Sequence, residues 1–279
     1  MKKILNIMPF LIASLLISCE EVVEIHSPSD ESKTVVDGMI TNRPGGSYVK
    51  LYRTSPYFSA VEGETIRGAA VTVTDSDGLE IRFEARDNGM YLCPEHFKGL
   101  PGKTYHLSIH LNGDAITAQS TMPDSVRLKN LRLVHVKDEK ASLRKGYHLY
   151  GTLTDQANAI NYFKAERYVN GTRQQMTAKD LHVFDDQFFE GLQEVEGSLG
   201  FWGNEADDDY MLKTGDTVSV KLYALSPEAF HYLKAMKSVP SQGGMYGKNP
   251  ANLPGNLSGA LGIFHATAYT ISDSLIVHD

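Results

Sequence analysis

Apolar and polar residues alternate in short runs from Lys33 onward, and turn residues separate the runs. A period of two is the pattern of a strand that buries one of its faces. The clearest hairpins turn at Asp75-Ser76-Asp77-Gly78, Asp87-Asn88-Gly89 and Asn112-Gly113, where glycine accepts a positive φ. Roughly seven such runs fall within residues 33–122, which predicts an immunoglobulin- or transthyretin-like β-sandwich there.

The alternating pattern breaks at Met122-Pro123-Asp124, because proline cannot donate to a strand ladder and restricts the residue before it. Beyond this point strand patterns resume, with a further hairpin that turns at Asn170-Gly171. The apolar run 260–269 predicts a strand inside the sheet. The sequence therefore predicts a mostly β protein with a domain boundary near Pro123 and a second β-rich domain over residues 123–279.

One short helix is predicted in the second half, at about residues 227–237. Ser226 is a favourable N-cap, and Pro227 suits the first helical position, where a backbone N–H would have no partner. Phe230, Leu233 and Met236 recur at helical spacing. We expect this apolar face to dock on the sheet.

Residues 239–260 are rich in glycine, proline and asparagine and are too long for a simple connection. Their glycines lack the spacing of a phosphate-binding loop. We expect an ordered flap, pinned to the body by Met245, Leu253 and Leu257. Long ordered loops often carry contacts with ligands or partners. The candidate contact residues of this loop are Tyr246, Asn249 and Asn256.

Residues 1–18 have the order of a bacterial lipoprotein signal peptide. Lys2 and Lys3 precede an apolar stretch that is shorter than the roughly 20 residues needed to cross a bilayer, and small Ser18 follows. We expect cleavage before Cys19 and attachment of a lipid to its thiol. An ordinary secretory signal that is cut elsewhere is the alternative.

Residues 19–32 are polar and lack periodicity, which predicts an acidic, lipidated tether. Glu20, Glu21 and Glu24 stand beside the expected anchor, where carboxylates repel anionic headgroups. An acidic cluster at this place resembles the surface-export signal of Bacteroidota lipoproteins. We therefore expect the lipid on Cys19 to hold the chain in the outer membrane with its body exposed at the cell surface; a solvated tether without an export role is the alternative.

Composition narrows the classes of function. The chain has 27 basic and 34 acidic residues, and loss of Lys2 and Lys3 with the signal peptide makes it more acidic still. We therefore expect no nucleic-acid partner. With Cys19 lipidated, Cys93 is the one remaining cysteine, so we predict no disulfide framework and no cysteine metal site. Cys93 is expected to be a small core residue.

Acidic clusters and a single tryptophan are the candidates for chemistry. There are two acidic clusters: Asp185, Asp186 and Glu190 form one, and residues 205–209 contain the other. Their carboxylates have the oxygen ligands of a calcium site or of a glycosidase pair, but solvated loops explain them as well. We predict no metal. Trp202 is either a platform for sugar stacking or a core residue. Asp185, Asp186 and Trp202 are kept as candidate ligand or partner contacts. No motif that pairs a nucleophile with its base is present, so we predict no catalytic residue and no cofactor.

A series of short motifs, in order along the mature chain, resembles the Bacteroidota lipoproteins that carry domain of unknown function 4249. The motifs are the Cys19 lipobox, Val35-Val36-Asp37-Gly38-Met39-Ile40-Thr41-Asn42, Val49-Lys50-Leu51, Ser55-Pro56-Tyr57-Phe58, Gly68-Ala69-Ala70-Val71-Thr72-Val73, Asn88-Gly89-Met90-Tyr91, Gly102-Lys103-Thr104-Tyr105, Asp185-Asp186-Gln187-Phe188-Phe189-Glu190-Gly191, Gly215-Asp216-Thr217-Val218, Leu225-Ser226-Pro227-Glu228-Ala229-Phe230, Asn249-Pro250, Asn256 and Gly259-Ala260-Leu261-Gly262-Ile263-Phe264. One departure is Ala251, where family members often carry an aromatic residue. The resemblance implies an outer-membrane lipoprotein encoded beside a TonB-dependent transporter, with no established activity and no catalytic residues to carry over.

These observations lead to three hypotheses of function. The first is a non-enzymatic, surface-anchored accessory lipoprotein of a TonB-dependent uptake system, which binds a transporter barrel, a nutrient or both through the loop 239–260 and the segment 185–209. The second is a surface glycan or peptide hydrolase, which requires two carboxylates, or Asp185 and a histidine such as His182, in one cleft. The third is a structural or adhesive β module.

Overall fold

The alternating runs of the sequence form strands that assemble into three sheets. A computed structural model of the chain describes residues 32–54, 63–138, 144–154, 160–174, 181–187, 194–203, 211–238 and 253–278. The predicted signal peptide and Cys19 lie outside the described residues, as does all but Ser32 of the predicted tether.

The first half of the chain contains eight strands within the described residues. They are β1 (Thr34–Thr41), β2 (Tyr48–Arg53), β3 (Ala70–Asp75), β4 (Glu80–Arg82), β5 (Glu84–Ala85), β6 (Met90–Leu92), β7 (Thr104–Leu111) and β8 (Asp114–Thr121). The predicted hairpin turns are confirmed, because β3 and β4, β5 and β6, and β7 and β8 pair in antiparallel fashion.

The second half contains nine strands and one α-helix within the described residues. They are β9 (Leu128–Val136), β10 (Gly146–Thr154), β11 (Tyr162–Val169), β12 (Thr172–Arg173), β13 (His182–Asp185), β14 (Glu194–Gly203), β15 (Thr217–Leu225), α1 (Pro227–Ser238), β16 (Leu261–Ile271) and β17 (Leu275–Ile276). The predicted helix is confirmed almost residue for residue. The Ser226 hydroxyl accepts the Ala229 N–H at 3.3 Å, as an N-cap does.

One sheet of ten strands runs through both halves, in the order β12-β11-β15-β16-β1-β2-β6-β5, with β13 paired to β11 and β17 paired to β15. The other two sheets are smaller, with the orders β4-β3-β7-β8 and β14-β10-β9. The last long strand, β16, lies inside the large sheet, as predicted. It pairs in parallel with β1 and in antiparallel fashion with β15.

The two small sheets pack on the same face of the large sheet and enclose two cores. The first core holds side chains of β1, β2, β16 and the four-stranded sheet, including Phe264 and Tyr105. The second holds side chains of β11, β15 and the three-stranded sheet, including Leu222 and Trp202. Ala224 and Ala268 are cross-strand partners, and one lies in each core. Since such partners point to the same face, the two sandwiches stand side by side.

Helix α1 covers the opposite face of the large sheet. Phe230 packs there with Tyr223, Leu225 and Tyr162, and the ring centroids of Tyr162 and Phe230 are 4.6 Å apart.

The mostly β class with one short helix is thus confirmed. Cys93 is buried in the first core, as expected. Residues 33–279 form one compact unit. The large sheet contains strands from before and after Pro123 in the chain, because β1 pairs with β16. Within the described residues no helix has both the length and the apolar character needed to cross a membrane.

Candidate functional site

A cavity of about 470 Å³ lies between α1 and the face of the large sheet that the helix covers. A volume of this size falls within the range of about 300–1,000 Å³ that is typical of small-molecule sites. Strands β1, β2, β11, β12, β15 and β16 supply its floor, and the helix supplies its roof. Its lining is Asp37, Met39, Tyr48, Tyr52, Lys164, Glu166, Tyr168, Arg173, Leu181, Lys221, Tyr223, Tyr232, Leu233, Met236, Ile263 and His265.

Strand alternation explains why this lining is polar and aromatic. On β11 the side chains of Phe163, Ala165 and Val169 belong to the second core, so Lys164 and Glu166 point to the other face. The same alternation operates on the other strands of the floor. The residues that would face water on an uncovered sheet therefore meet beneath α1.

Glu166 is the most heavily engaged side chain of the cavity. Its Oε1 atom lies 3.1 Å from Lys164 Nζ and 3.4 Å from Arg173 Nη1. The Tyr223 and Tyr168 hydroxyls donate to Oε2 at 2.8 and 3.4 Å. Burial raises the pKa of the Glu166 carboxyl, but Lys164, Tyr223 and Arg173 outweigh it, and the pKa lies below its ordinary value. Glu166 is therefore ionised at neutral pH.

Lys221 brings a further positive charge to this end of the cavity. Its Nζ atom lies 4.7 Å from the ring centroid of Tyr269, 5.3 Å from that of Tyr168 and 5.9 Å from that of Tyr223. These are cation–π distances. No carboxylate of the described residues lies within salt-bridge distance of Lys221, although Glu166 is its cross-strand partner.

Asp37 marks the other end of the cavity. The Tyr48 hydroxyl donates to the Asp37 carboxylate and lies 3.3 Å from each of its two oxygens. Burial raises the pKa of Asp37, and the hydrogen bond with Tyr48 offsets this only in part. Tyr232 of α1 closes this end, and burial raises its pKa to about 12. Hydroxyl and carboxyl groups at this end are therefore placed to exchange hydrogen bonds with a polar ligand.

His265 lines the cavity from β16, and its side chain is unusual for a buried group. The residue is 8% exposed, and its Nδ1 atom has no hydrogen-bond partner among the described residues. Burial, assisted by the nearby charge of Lys164, lowers the pKa of His265 to about 3. The imidazole is therefore neutral at neutral pH, and its Nδ1 atom is an unsatisfied polar atom buried in the wall of the cavity.

A larger cleft of about 630 Å³ lies in the first sandwich, beside the turn between β3 and β4. Its main cation, Lys103, is already paired with Asp75 at 2.6 Å and with Asp77 at 2.8 Å. The charge of Lys103 is thus neutralised within the protein. We regard the cavity beneath α1 as the better candidate, because one of its lining residues, His265, carries a buried polar atom that the described residues do not satisfy.

A comparison with known protein families identifies the chain. The family described as Domain of unknown function (DUF4249) matches residues 20–272, a range that includes every residue lining the cavity. The chain belongs to this family. No curated protein matches the sequence.

Four of the predicted contact residues of this DUF4249 chain, Trp202, Asp185, Asp186 and Asn256, are described, and none of the four lines the cavity. Trp202 is 4% exposed and lies in the second core, with the Arg167 guanidinium carbon 5.1 Å from the centre of its ring. The buried Asp186 carboxylate accepts the backbone N–H and the side-chain N–H of Asn161, both at 2.8 Å. Asp185 accepts the Gln187 N–H at 3.3 Å. Asp185 therefore shapes the turn after β13, whereas Asp186 ties the end of β13 to the residue before β11.

The loop candidates divide into described and undescribed residues. Asn256 is described: its amide donates to the carbonyl oxygens of Gln119 and Phe264, and its oxygen accepts the Phe264 N–H. Leu257 packs against the first core, as the expected flap requires. Tyr246 and Asn249, together with Met245, lie outside the described residues, as does Cys19.

The hydrolase hypothesis requires two carboxylates, or Asp185 and a histidine such as His182, in one cleft. His182 and Asp185 stand three positions apart on β13 and so point to opposite faces of the strand. The His182 Nε2 atom is engaged with the Ser198 carbonyl oxygen at 2.8 Å. Within the described residues, no group of three histidine, cysteine, aspartate or glutamate side chains is arranged to hold a metal ion.

The cavity residues were missed in the sequence because each looks ordinary alone. Tyr48, Lys50 and Tyr52 alternate with buried valine and leucine, and Lys164 and Glu166 alternate with Phe163 and Ala165. Such positions resemble a solvated strand face. The one available signal was the recurrence of tyrosine at these positions on several strands, together with a helix expected to dock on the sheet.

Proposed function

We propose that this chain is a lipid-anchored, non-enzymatic binding protein at the cell surface, which holds a small molecule in the cavity beneath α1 and assists a TonB-dependent transporter. The observation that carries the binding role is His265, whose Nδ1 atom is buried in the cavity wall without a partner among the described residues. An unsatisfied buried polar group destabilises a fold by about 1–3 kcal/mol. A ligand that bonds with it, once the ring turns toward the cavity, would recover this energy.

The anchor and the location are supported by the sequence. The n-region, the apolar stretch and the residues before Cys19 have the order that lipoprotein signal peptidase accepts, and the family match begins at residue 20, directly after that cysteine. Glu20, Glu21 and Glu24 support surface exposure, as in other Bacteroidota lipoproteins with acidic residues at this place. A cavity at the cell surface would capture a nutrient before it enters the transporter.

Capture of small molecules tests the binding role. The full-length chain, purified in detergent, is incubated with an extract of growth medium, and the retained molecules are identified by mass spectrometry. Leu233→Trp fills the cavity from α1, and Lys237→Trp adds the same side chain at an exposed position of the same helix. We expect the wild type and Lys237→Trp to retain a common compound that Leu233→Trp loses. Equal retention by all three proteins, or no retained compound, would refute the proposal.

Partner capture tests the transport role. The tagged lipoprotein is purified from mildly solubilised outer membrane, and the proteins that accompany it are identified by mass spectrometry. Near-stoichiometric recovery of a TonB-dependent transporter supports an accessory role. Failure to recover any barrel protein would argue against that role while leaving the binding role to the small-molecule experiment.

A further inference from the structure

We propose that the ligand of the cavity is a small organic carboxylate, and that Lys221 is the side chain that neutralises it. This inference rests on the proposed function, because it names the class of molecule that the same cavity would bind. Two observations support it. The Glu166 end of the cavity holds more positive than negative charge, and Lys164 and Arg173 form salt bridges with Glu166 whereas Lys221 does not.

The Glu166 end of the cavity holds more positive than negative charge. Lys164, Arg173 and Lys221 line it beside Glu166, and Asp37 is the second carboxylate of the cavity, so the described lining holds three cations and two carboxylates. Both Glu166 oxygens are occupied, Oε1 by Lys164 and Arg173 and Oε2 by two tyrosine hydroxyls. Glu166 therefore orients Lys164 and Arg173 but leaves the third cation uncompensated.

Lys221 is that third cation. Its ammonium rests against tyrosine rings, which hold a cation in place but supply no full negative charge. A partly buried charge without a counter-ion is unfavourable, and a ligand carboxylate would relieve this while forming a charge-assisted hydrogen bond. A cationic ligand would instead meet three positive side chains at this end.

The rest of the cavity defines the body of the ligand. The tyrosine rings offer flat apolar surfaces edged with hydroxyl groups. Asp37 and His265 lie within reach of the Lys164 charge. The Asp37 carboxylate accepts a side-chain hydrogen bond from the Tyr48 hydroxyl, and the His265 Nδ1 atom has no partner among the described residues. These groups fit a ring that can stack on a tyrosine face and that bears a hydroxyl group as well as the carboxylate. Acidic sugars and hydroxylated aromatic acids share this chemistry.

Paired acids and neutral analogues test the inference. Binding of D-glucuronate and 4-hydroxybenzoate to the full-length chain in detergent is measured by calorimetry, beside D-glucose and methyl 4-hydroxybenzoate. We expect at least one acid to bind at least about tenfold more tightly than its neutral analogue, because the analogue forms no ion pair with Lys221. The acid that binds identifies the sugar or the aromatic source.

Variants of Lys221 link this preference to one residue. Lys221→Met should weaken binding of the acid by roughly tenfold or more and leave the neutral analogue unchanged, whereas Lys221→Arg, which keeps the charge, should retain most of the affinity. Lys129→Met removes a lysine of β9 that is paired with Glu194 in another sheet, and it should have no effect. Unchanged melting temperatures show that the variants fold.

Three results would overturn the carboxylate inference. They are binding of neither acid, equal binding of acid and neutral analogue, and full binding of the acid by Lys221→Met. None of these removes the proposed binding role, which the capture experiment with Leu233→Trp tests independently. A neutral or cationic compound recovered in that experiment would likewise overturn the carboxylate inference while supporting the cavity as a binding site.

Discussion

Gly262 lies directly opposite Val36 in the parallel pairing of β16 with β1. Its φ is +104°, and a Cβ atom at this position would overlap the carbonyl oxygen of Val36. Because β16 lies between β15 and β1, this pairing joins the two halves of the ten-stranded sheet. The joining of the two sandwiches therefore depends on a residue without a side chain.

Gly262→Ala should lower the free energy of unfolding by at least about 2 kcal/mol, because it combines a strained φ with a backbone clash. Urea denaturation measures this difference. Gly197→Ala is the matched control: Gly197 lies in β14, its φ is not in the left-handed region, and a Cβ atom there would meet nothing within 4 Å. Similar effects of the two substitutions would show that contact with the Val36 carbonyl oxygen does not make Gly262 special for the stability of the sheet.

The local parts of this fold could be predicted from the sequence, and the long-range pairing could not. Asn112-Gly113 and Ser226-Pro227 act on neighbouring residues, and the hairpin and helix they predict are present. The pairing of Val35 with Leu261 joins residues far apart in the chain. No local pattern specifies it, because the apolar run of β16 suits the centre of any sheet.

The candidate site was harder to predict for a related physical reason. Asp37, Lys164, Lys221 and His265 come from four strands, and only the sheet order and the position of α1 bring them together. Sequence reasoning favoured residues in loops and the lone tryptophan, since unusual composition is visible without a fold. Trp202 instead lies in the second core, where strand alternation and burial place it.

Asn256→Asp should destabilise the protein by about 2 kcal/mol, because it removes both side-chain donors of a half-buried residue. The Asn256 Nδ2 atom donates to the Gln119 carbonyl oxygen at 3.0 Å and to the Phe264 carbonyl oxygen at 2.7 Å. A carboxylate would place negative charge against both acceptors. Thermal denaturation tests this, with Asn112→Asp in an exposed turn as control. An equal fall in the melting temperature of both variants would contradict the role of Asn256 in pinning the loop.

Asp75→Asn should destabilise the first sandwich by about 1–3 kcal/mol at neutral pH. The Asp75 carboxylate is 3% exposed, accepts the N–H groups of Asp77 and Leu79 at 3.0 and 2.9 Å, and pairs with Lys103. The hydrogen bond from Lys103 is the main reason that the pKa of Asp75 is lowered.

The sign of this shift predicts a dependence on pH. A carboxyl group whose folded pKa lies below its unfolded value of 3.8 stabilises the protein above pH 3.8 and loses that contribution as the pH falls through the folded value. The difference between wild type and Asp75→Asn should therefore shrink in urea titrations below pH 3.8. Asp77→Asn, at the exposed partner of Lys103, should have a smaller effect at every pH. A difference that stays constant with pH would refute the ionic role of Asp75.

His265→Leu should make the ligand-free protein less sensitive to acid. The folded pKa of His265 is about 3 and the ordinary value is 6.5, so the unfolded chain takes up a proton between these values while the folded chain does not. The wild type therefore loses stability as the pH falls below 6.5, by roughly 1.4 kcal/mol per unit and by about 2 kcal/mol at pH 5. Leucine also removes the unpartnered Nδ1 atom from the cavity wall, so the variant should be at least as stable as the wild type at pH 7.

Urea midpoints measured from pH 7 to pH 4 compare the two proteins. The advantage of His265→Leu should grow steadily below pH 6.5, whereas His106→Leu, at an exposed position of β7, should leave the slope unchanged. The same variant should bind the ligand of the cavity more weakly, because it cannot form a hydrogen bond at this point. A pH profile that runs parallel to that of the wild type would mean that His265 is not buried in the neutral form.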